Sequence, residues 1–323
     1  SLFKMSLTSS SSFWKSVDKK FRNKVDNIFH KYPKLPETLP REDRLPLQIG
    51  FGISVKNYNT FLERNEKVGY KFRWDQGRVY IVDMANTDHE GVVSLLMAYF
   101  MAPNNGVFRG PIKVLGQPYH FNPINNGEKI APDVAVFPNS TDVPRPTVLY
   151  PGPPPSDTNG FSHARIIVEI ANTQDIGTWN TRCELWMREQ YVRYVFGIKL
   201  DFVRNNGRSM LARLWTRENP APAGFVAVTS LPGVSVRTWD FGTLQYGTNN
   251  LTTCTQAGLP LYQVNIPIAS VFWDPPIVIN AVTGVRTTNT VGYVVTVPAA
   301  ITVPNFVIDL FEIQQEALDT QRG

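Results

Sequence analysis

Cysteine is scarce in this sequence. Cys183 and Cys254 are the only two among 323 residues, and no CxxC pair or Cys/His cluster accompanies them. That arithmetic excludes a disulfide framework and leaves a structural zinc site unsupported. The usage fits a reducing compartment. Long apolar runs are missing too. None approaches the roughly 20 residues needed to span a bilayer, and the opening "SLFKMSLTSSSSFWKS" lacks the apolar core of a secretory signal. No GxSxG, P-loop or glycine-rich dinucleotide fingerprint occurs, so serine hydrolase, NTPase and Rossmann oxidoreductase readings have no footing. Charge excess is small: a net +5 permits a polyanionic partner without demanding one. These absences point to a protein without a membrane span, intracellular in the cytoplasm or nucleus.

What is present divides into three stretches. Residues 1–48 are polar, basic and punctuated by proline, with Val17, Phe21, Val25 and Phe29 at helical spacing within 16–30. The run Lys19, Lys20, Arg22, Lys24 reads as a solvated helix face or a nucleic-acid contact. Residues 49–204 carry the pattern of an α/β core. "NYNTFLERNEK" predicts a short helix, and "YKFRWDQGRVYIVDM" predicts a hairpin turning at Asp75-Gln76-Gly77. "TDHEGVVSLLMAYFMAP" predicts a helix capped by Thr87 or Asp88. Strands are predicted at "IKVLG", "APDVAVF" and "RIIVEI", then a helix at "WNTRCELWMREQYV" and a strand at "YVFGIKLDF". The order helix, strand, strand, strand, helix, strand predicts a mixed sheet. Residues 205–323 are β-rich and full of turn residues. They read as either a separate β-domain or an elaboration of the same sheet.

Glu169 is the anomaly. It sits inside "RIIVEIANTQ", whose apolar run predicts a buried strand, and a buried carboxylate is costly unless something pairs with it. A second carboxylate, Asp133, opens the strand "APDVAVF". Two carboxylates on neighbouring strands suit Mg²⁺, a hard cation that takes one or two such ligands and keeps several waters. The alternative is an ion pair between Glu169 and Arg165, Arg182 or Arg188.

The pairing of "PD" on one strand with "VEI" on the next resembles the PD-(D/E)XK nuclease superfamily. The ordered series of Gly77, His89, Asp133 and Glu169 is similar to its restriction-endonuclease-like group over roughly residues 55–203. The resemblance implies a restriction-endonuclease-like mixed sheet flanked by helices. It also implies Mg²⁺-dependent hydrolysis of DNA phosphodiesters, with Asp133 and Glu169 as metal ligands and His89 and Gln174 near them. Two departures stand out. Where the superfamily carries E-x-K, this chain has Glu169-Ile170-Ala171, so the lysine is missing, and Arg182 or Arg188 on the following helix would stand in for it. Arg73 takes a hairpin position where the group carries an acid. Two roles follow: a divergent DNA nuclease, or a retired nuclease scaffold serving as a binding, structural or self-assembling protein, as a homo-oligomer or in a larger assembly.

Overall fold

A computed structural model describes residues 32–66, 68–148 and 150–321. The helical spacing within 16–30 and the basic run at 19–24 lie outside the described residues. In chain order the elements are β1 (Leu47–Gly50), α1 (Val55–Arg64), β2 (Tyr70–Asp75), β3 (Arg78–Met84), α2 (Thr87–Met101), β4 (Ile112–Gly116), β5 (His120–Phe121), β6 (Lys129–Ile130), β7 (Val134–Pro138) and β8 (Ile166–Ala171). There follow α3 (Ile176–Trp186), β9 (Tyr194–Arg204), β10 (Gly207–Thr216), β11 (Val226–Ala227), β12 (Ser235–Asp240), β13 (Gln263–Pro267), β14 (Ile277–Ile279), β15 (Arg286–Thr288), β16 (Asn305–Asp309) and α4 (Leu310–Asp319).

Seven strands form the central sheet in the order β11-β12-β10-β9-β8-β7-β4. All neighbours are antiparallel except β8 and β9, which run parallel and are joined through α3. This is the mixed α/β sheet the sequence predicts, with helices on both faces. Alternation along β7 shows why. Val134 and Val136 face α2, α4 and the β13–β16 pair, whereas Ala135 and Phe137 face α3. Strand β8 is buried throughout because both of its faces are covered, which produces an apolar run rather than an alternating one. Glu169 falls on the α3 face, in phase with Ile167 and Ala171.

Of the strands after residue 205, β10, β12 and β11 continue this sheet, whereas β13 with β16 and β14 with β15 form separate pairs; Phe306, Ile308 and Leu310 join the same core as Val92 and Leu96 of α2.

Gly197 in β9 makes the α3 contact possible. A Cβ there would lie 2.7 Å from Trp179 Cζ2 and 3.0 Å from Cys183 Sγ. Gly197→Ala is therefore expected to destabilise the protein by about 1–3 kcal/mol through overpacking. Urea unfolding measures this, and an unchanged midpoint would contradict the close approach.

A second, three-stranded sheet, β1-β3-β2, packs with α1 around Ile53, Tyr58, Phe61, Leu62 and Val79. Its β2–β3 hairpin turns through Gln76 (φ 46°) and Gly77 (φ 85°). A two-residue turn with both φ positive matches the twist of the strands it joins. One buried carboxylate fastens this hairpin to the main sheet. Asp83 of β3 accepts hydrogen bonds from the backbone N–H of Asn172 (2.9 Å) and the hydroxyl of Thr173 (2.7 Å), just past β8.

Candidate functional site

The hairpin, the start of α2, the start of β7, β8 and α3 meet at a cavity of about 970 Å³. Each element presents its side chain for a local reason. Asn86, in extended conformation, caps α2 by accepting from the backbone N–H of His89 at 3.1 Å. The sequence pointed to Thr87 or Asp88 as the cap, but "NTDH" holds three capping residues in succession and the geometry selects the first. The cap fixes His89 in the first turn, facing the sheet. Asp133 precedes β7, and its Oδ2 accepts from the backbone N–H of Ile170 at 2.6 Å. On α3, Arg182 and Trp186 lie four residues apart and so share a face. Both point at Glu169: Arg182 Nε is 3.1 Å and Trp186 Nε1 2.6 Å from its Oε1.

The residue that organises the site is Lys71 of β2. Its ammonium lies 2.5 Å from Asp133 Oδ2, 2.5 Å from the carbonyl oxygen of Ile170 and 3.9 Å from Glu169 Oε2. On the other side of Asp133, His89 Nε2 approaches Oδ1 at 3.2 Å. This is an ionic contact whose angle does not make a hydrogen bond. The floor therefore carries three cationic groups, Lys71, His89 and Arg182, around two carboxylates, both almost fully buried.

Burial by itself would push the protonated forms of Lys71, His89 and Arg182 to lower pKa. The carboxylates reverse this in each case. Asp133, then Glu169, raises Lys71 above its ordinary value. The charge and closeness of Asp133, helped by Glu90, bring His89 up to about 9. Glu169 and then Glu128 raise Arg182. Burial would raise Asp133, but Lys71 and His89 hold it below the usual carboxylate range. At neutral pH Lys71, His89, Arg182 and Asp133 are all charged.

A Mg²⁺ ion at this point would need an octahedral shell at roughly 2.0–2.1 Å from its oxygens. The Asp133 and Ile170 oxygens that would supply it are already satisfied by the Lys71 ammonium, and a guanidinium and an indole hold one oxygen of Glu169. Among the described residues no group of three or more His, Cys, Asp or Glu side chains is placed to hold a metal. As arranged, these residues do not fit a divalent cation.

No family model and no curated protein matches the chain. Among solved structures, it is similar to "a putative nuclease belonging to DUF820" from Anabaena variabilis. Sequence identity is 12%, the match covers 55% of this chain and 90% of that one, and the TM-score is 0.33.

Of the residues singled out by sequence, Asp133, Glu169, His89, Arg182 and Gln174 all line the cavity, as does Arg73. Arg188 does not. It is exposed on the turn after α3, because the helix ends at Trp186. Glu169 pairs with Arg182, while Arg165 donates instead to the carbonyls of Trp273 (2.7 Å) and His163 (2.5 Å). Sequence reasoning missed Lys71 and Trp186. Lys71 alternates with Arg73 on β2, which places both on one side of the strand, and Trp186 follows Arg182 by one helical turn.

Two other histidines sit apart from the cavity. His120 and His163 are fully buried with ring centres 4.4 Å apart, and burial pushes His120 down to about 4. The two shifts have opposite consequences for stability. His120, depressed in the fold from 6.5, contributes stability above pH 6.5 that is lost as pH falls toward 4. His89, raised in the fold, contributes stability below pH 6.5 that is lost as pH rises toward 9. Unfolding free energy is therefore expected to peak near pH 6.5 and to fall on each side, by on the order of 3 kcal/mol per histidine. Urea titrations across that range measure it, and a flat profile would contradict both assignments.

Proposed function

We propose that the cavity binds a nucleic-acid phosphodiester, and that the chain is a nucleic-acid-binding protein on a nuclease-like scaffold that does not hydrolyse DNA through a divalent metal. One observation carries this reading: a cationic floor beneath aromatic walls. Lys71, His89 and Arg182 sit on the floor around Asp133 and Glu169, and the half-buried rings of Phe72, Trp74 and Tyr119 border the cavity. Cations that meet the backbone and rings that stack on bases are the two parts of single-strand recognition. Arg73 adds a guanidinium 5.2 Å from the Tyr80 ring, and its buried Nε has no partner within the protein. Glu66, Asp75, Glu90, Glu128 and Asp175 also line the cavity, so that with Asp133 and Glu169 seven carboxylates face the five groups Lys71, Arg73, Lys129, Arg182 and His89, and direct contacts rather than bulk attraction set the affinity.

Fluorescence anisotropy with labelled single-stranded oligonucleotides tests the reading. Binding should weaken with added salt, with a shallow slope set by the few phosphate contacts available. Arg73→Glu should weaken it at least about tenfold, or ~1.4 kcal/mol, without lowering the melting temperature. Absence of binding at low salt would contradict the proposal.

The second reading, Mg²⁺-dependent hydrolysis through Asp133 and Glu169, draws on the convergence of those carboxylates and is opposed by the ammonium beside them. Self-association, the remaining role expected of such a scaffold, has support in the exposed Val282, Val291 and Val294 of the C-terminal part.

A further inference from the structure

We infer that Lys71 is a tethered cation that has taken the place of a divalent metal in this cavity. Three oxygens from two strands converge on one point: Asp133 Oδ2, the Ile170 carbonyl and Glu169 Oε2. Such a convergence is electrostatically unfavourable unless a positive charge sits at its centre. The charge present there is the ammonium of Lys71, which comes from β2 in the other sheet, 62 residues before Asp133 in the chain.

The surrounding groups hold it there. Lys71 pairs in register with Asp83, the residue that fastens the hairpin to the end of β8. His89 faces the second oxygen of Asp133, and Arg182 with Trp186 occupies the first oxygen of Glu169. Glu169 Oε2 lies 3.9 Å from the Lys71 ammonium, against 2.5 Å for Asp133 Oδ2. A metal entering from the cavity would have to displace an ammonium already 2.5 Å from two of its three prospective ligands.

This assignment also accounts for the residue missing from β8. The strand carries Ala171 where the resembled family has lysine. The lysine found in the cavity arrives from another strand and sits between the carboxylates rather than beside them. The inference stands on this geometry alone and does not depend on nucleic acid being the occupant of the cavity.

The test is isothermal titration of Mn²⁺ into the full chain. The wild-type protein should show no binding in the millimolar range. Lys71→Ala should create a Mn²⁺ site at least about tenfold tighter than any wild-type signal, and adding Glu169→Gln to it should abolish that site. Lys71→Met, which keeps the apolar stem, serves if Lys71→Ala fails to fold. Binding of Mn²⁺ by the wild-type protein that is lost in Glu169→Gln would overturn the inference, and so would a folded Lys71 variant that gains no site. Oligonucleotide binding by the wild-type protein is measured separately, so failure of the metal inference and failure of the nucleic-acid reading give different results.

Discussion

Asp133→Ala is expected to destabilise the protein by about 3–5 kcal/mol, the cost of removing one partner from a buried ion pair. The sign matters more than the size. In a cavity built to await a metal, neighbouring carboxylates repel each other, and deleting one relieves the fold. Here the carboxylate of Asp133 lies between Lys71 and His89, and the backbone N–H of Ile170 donates to it as well. Its loss leaves a largely buried ammonium and a fully buried imidazolium facing each other, together with an orphaned N–H. Because Lys71 and His89 hold its pKa below the ordinary carboxylate range, this contribution is complete at neutral pH and is lost only as pH falls through the acid range. Urea denaturation at pH 7 measures the effect. A neutral or stabilising result would mean that the cations do not pair with Asp133 in solution.

Arg165→Met is expected to cost about 3 kcal/mol by a different route. This guanidinium is almost fully buried at the start of β8 and stacks 5.0 Å from the ring of Tyr191. It donates to the carbonyls of His163 and Trp273 and lies 3.8 Å from Asp274. Replacing a buried ion pair with apolar side chains is often harmless, but here two main-chain carbonyls would keep their place and lose their donor. Each unsatisfied group costs roughly 1–3 kcal/mol. Since one of these bonds ties β8 to the segment at Trp273, protease cleavage within 274–304 should appear at lower temperature than in the wild type. An unchanged melting temperature would show that water replaces the guanidinium.

How far the sequence reveals this arrangement depends on the range of each interaction. The β2–β3 hairpin is legible because Gln76-Gly77 sits between two strand-like runs and the turn geometry is local. Strands β7 and β8 are legible because burial on both faces leaves a continuous apolar run, and Glu169 stands out against it. The cap of α2 is misread by one or two residues, since Asn86, Thr87 and Asp88 are all capping residues and local preference does not separate them. The place of Lys71 is not legible. It depends on how a small separate sheet docks through Asp83 onto the end of β8, and the missing E-x-K lysine directs attention to α3 instead. Arg182 illustrates the middle case: the sequence offers it as one of three partners for Glu169, and only the helix phase that also brings Trp186 onto that carboxylate selects it.

The proposed function requires the cavity to hold nucleic acid without cutting it. Incubating an end-labelled single-stranded oligonucleotide with the wild-type protein in Mg²⁺, in Mn²⁺ and in EDTA, then resolving retained and cleaved species, tests that most directly. The expected result is a retained, full-length oligonucleotide in all three conditions. Metal-dependent cleavage that disappears in Glu169→Gln would contradict it and would make Lys71 part of a working hydrolytic site.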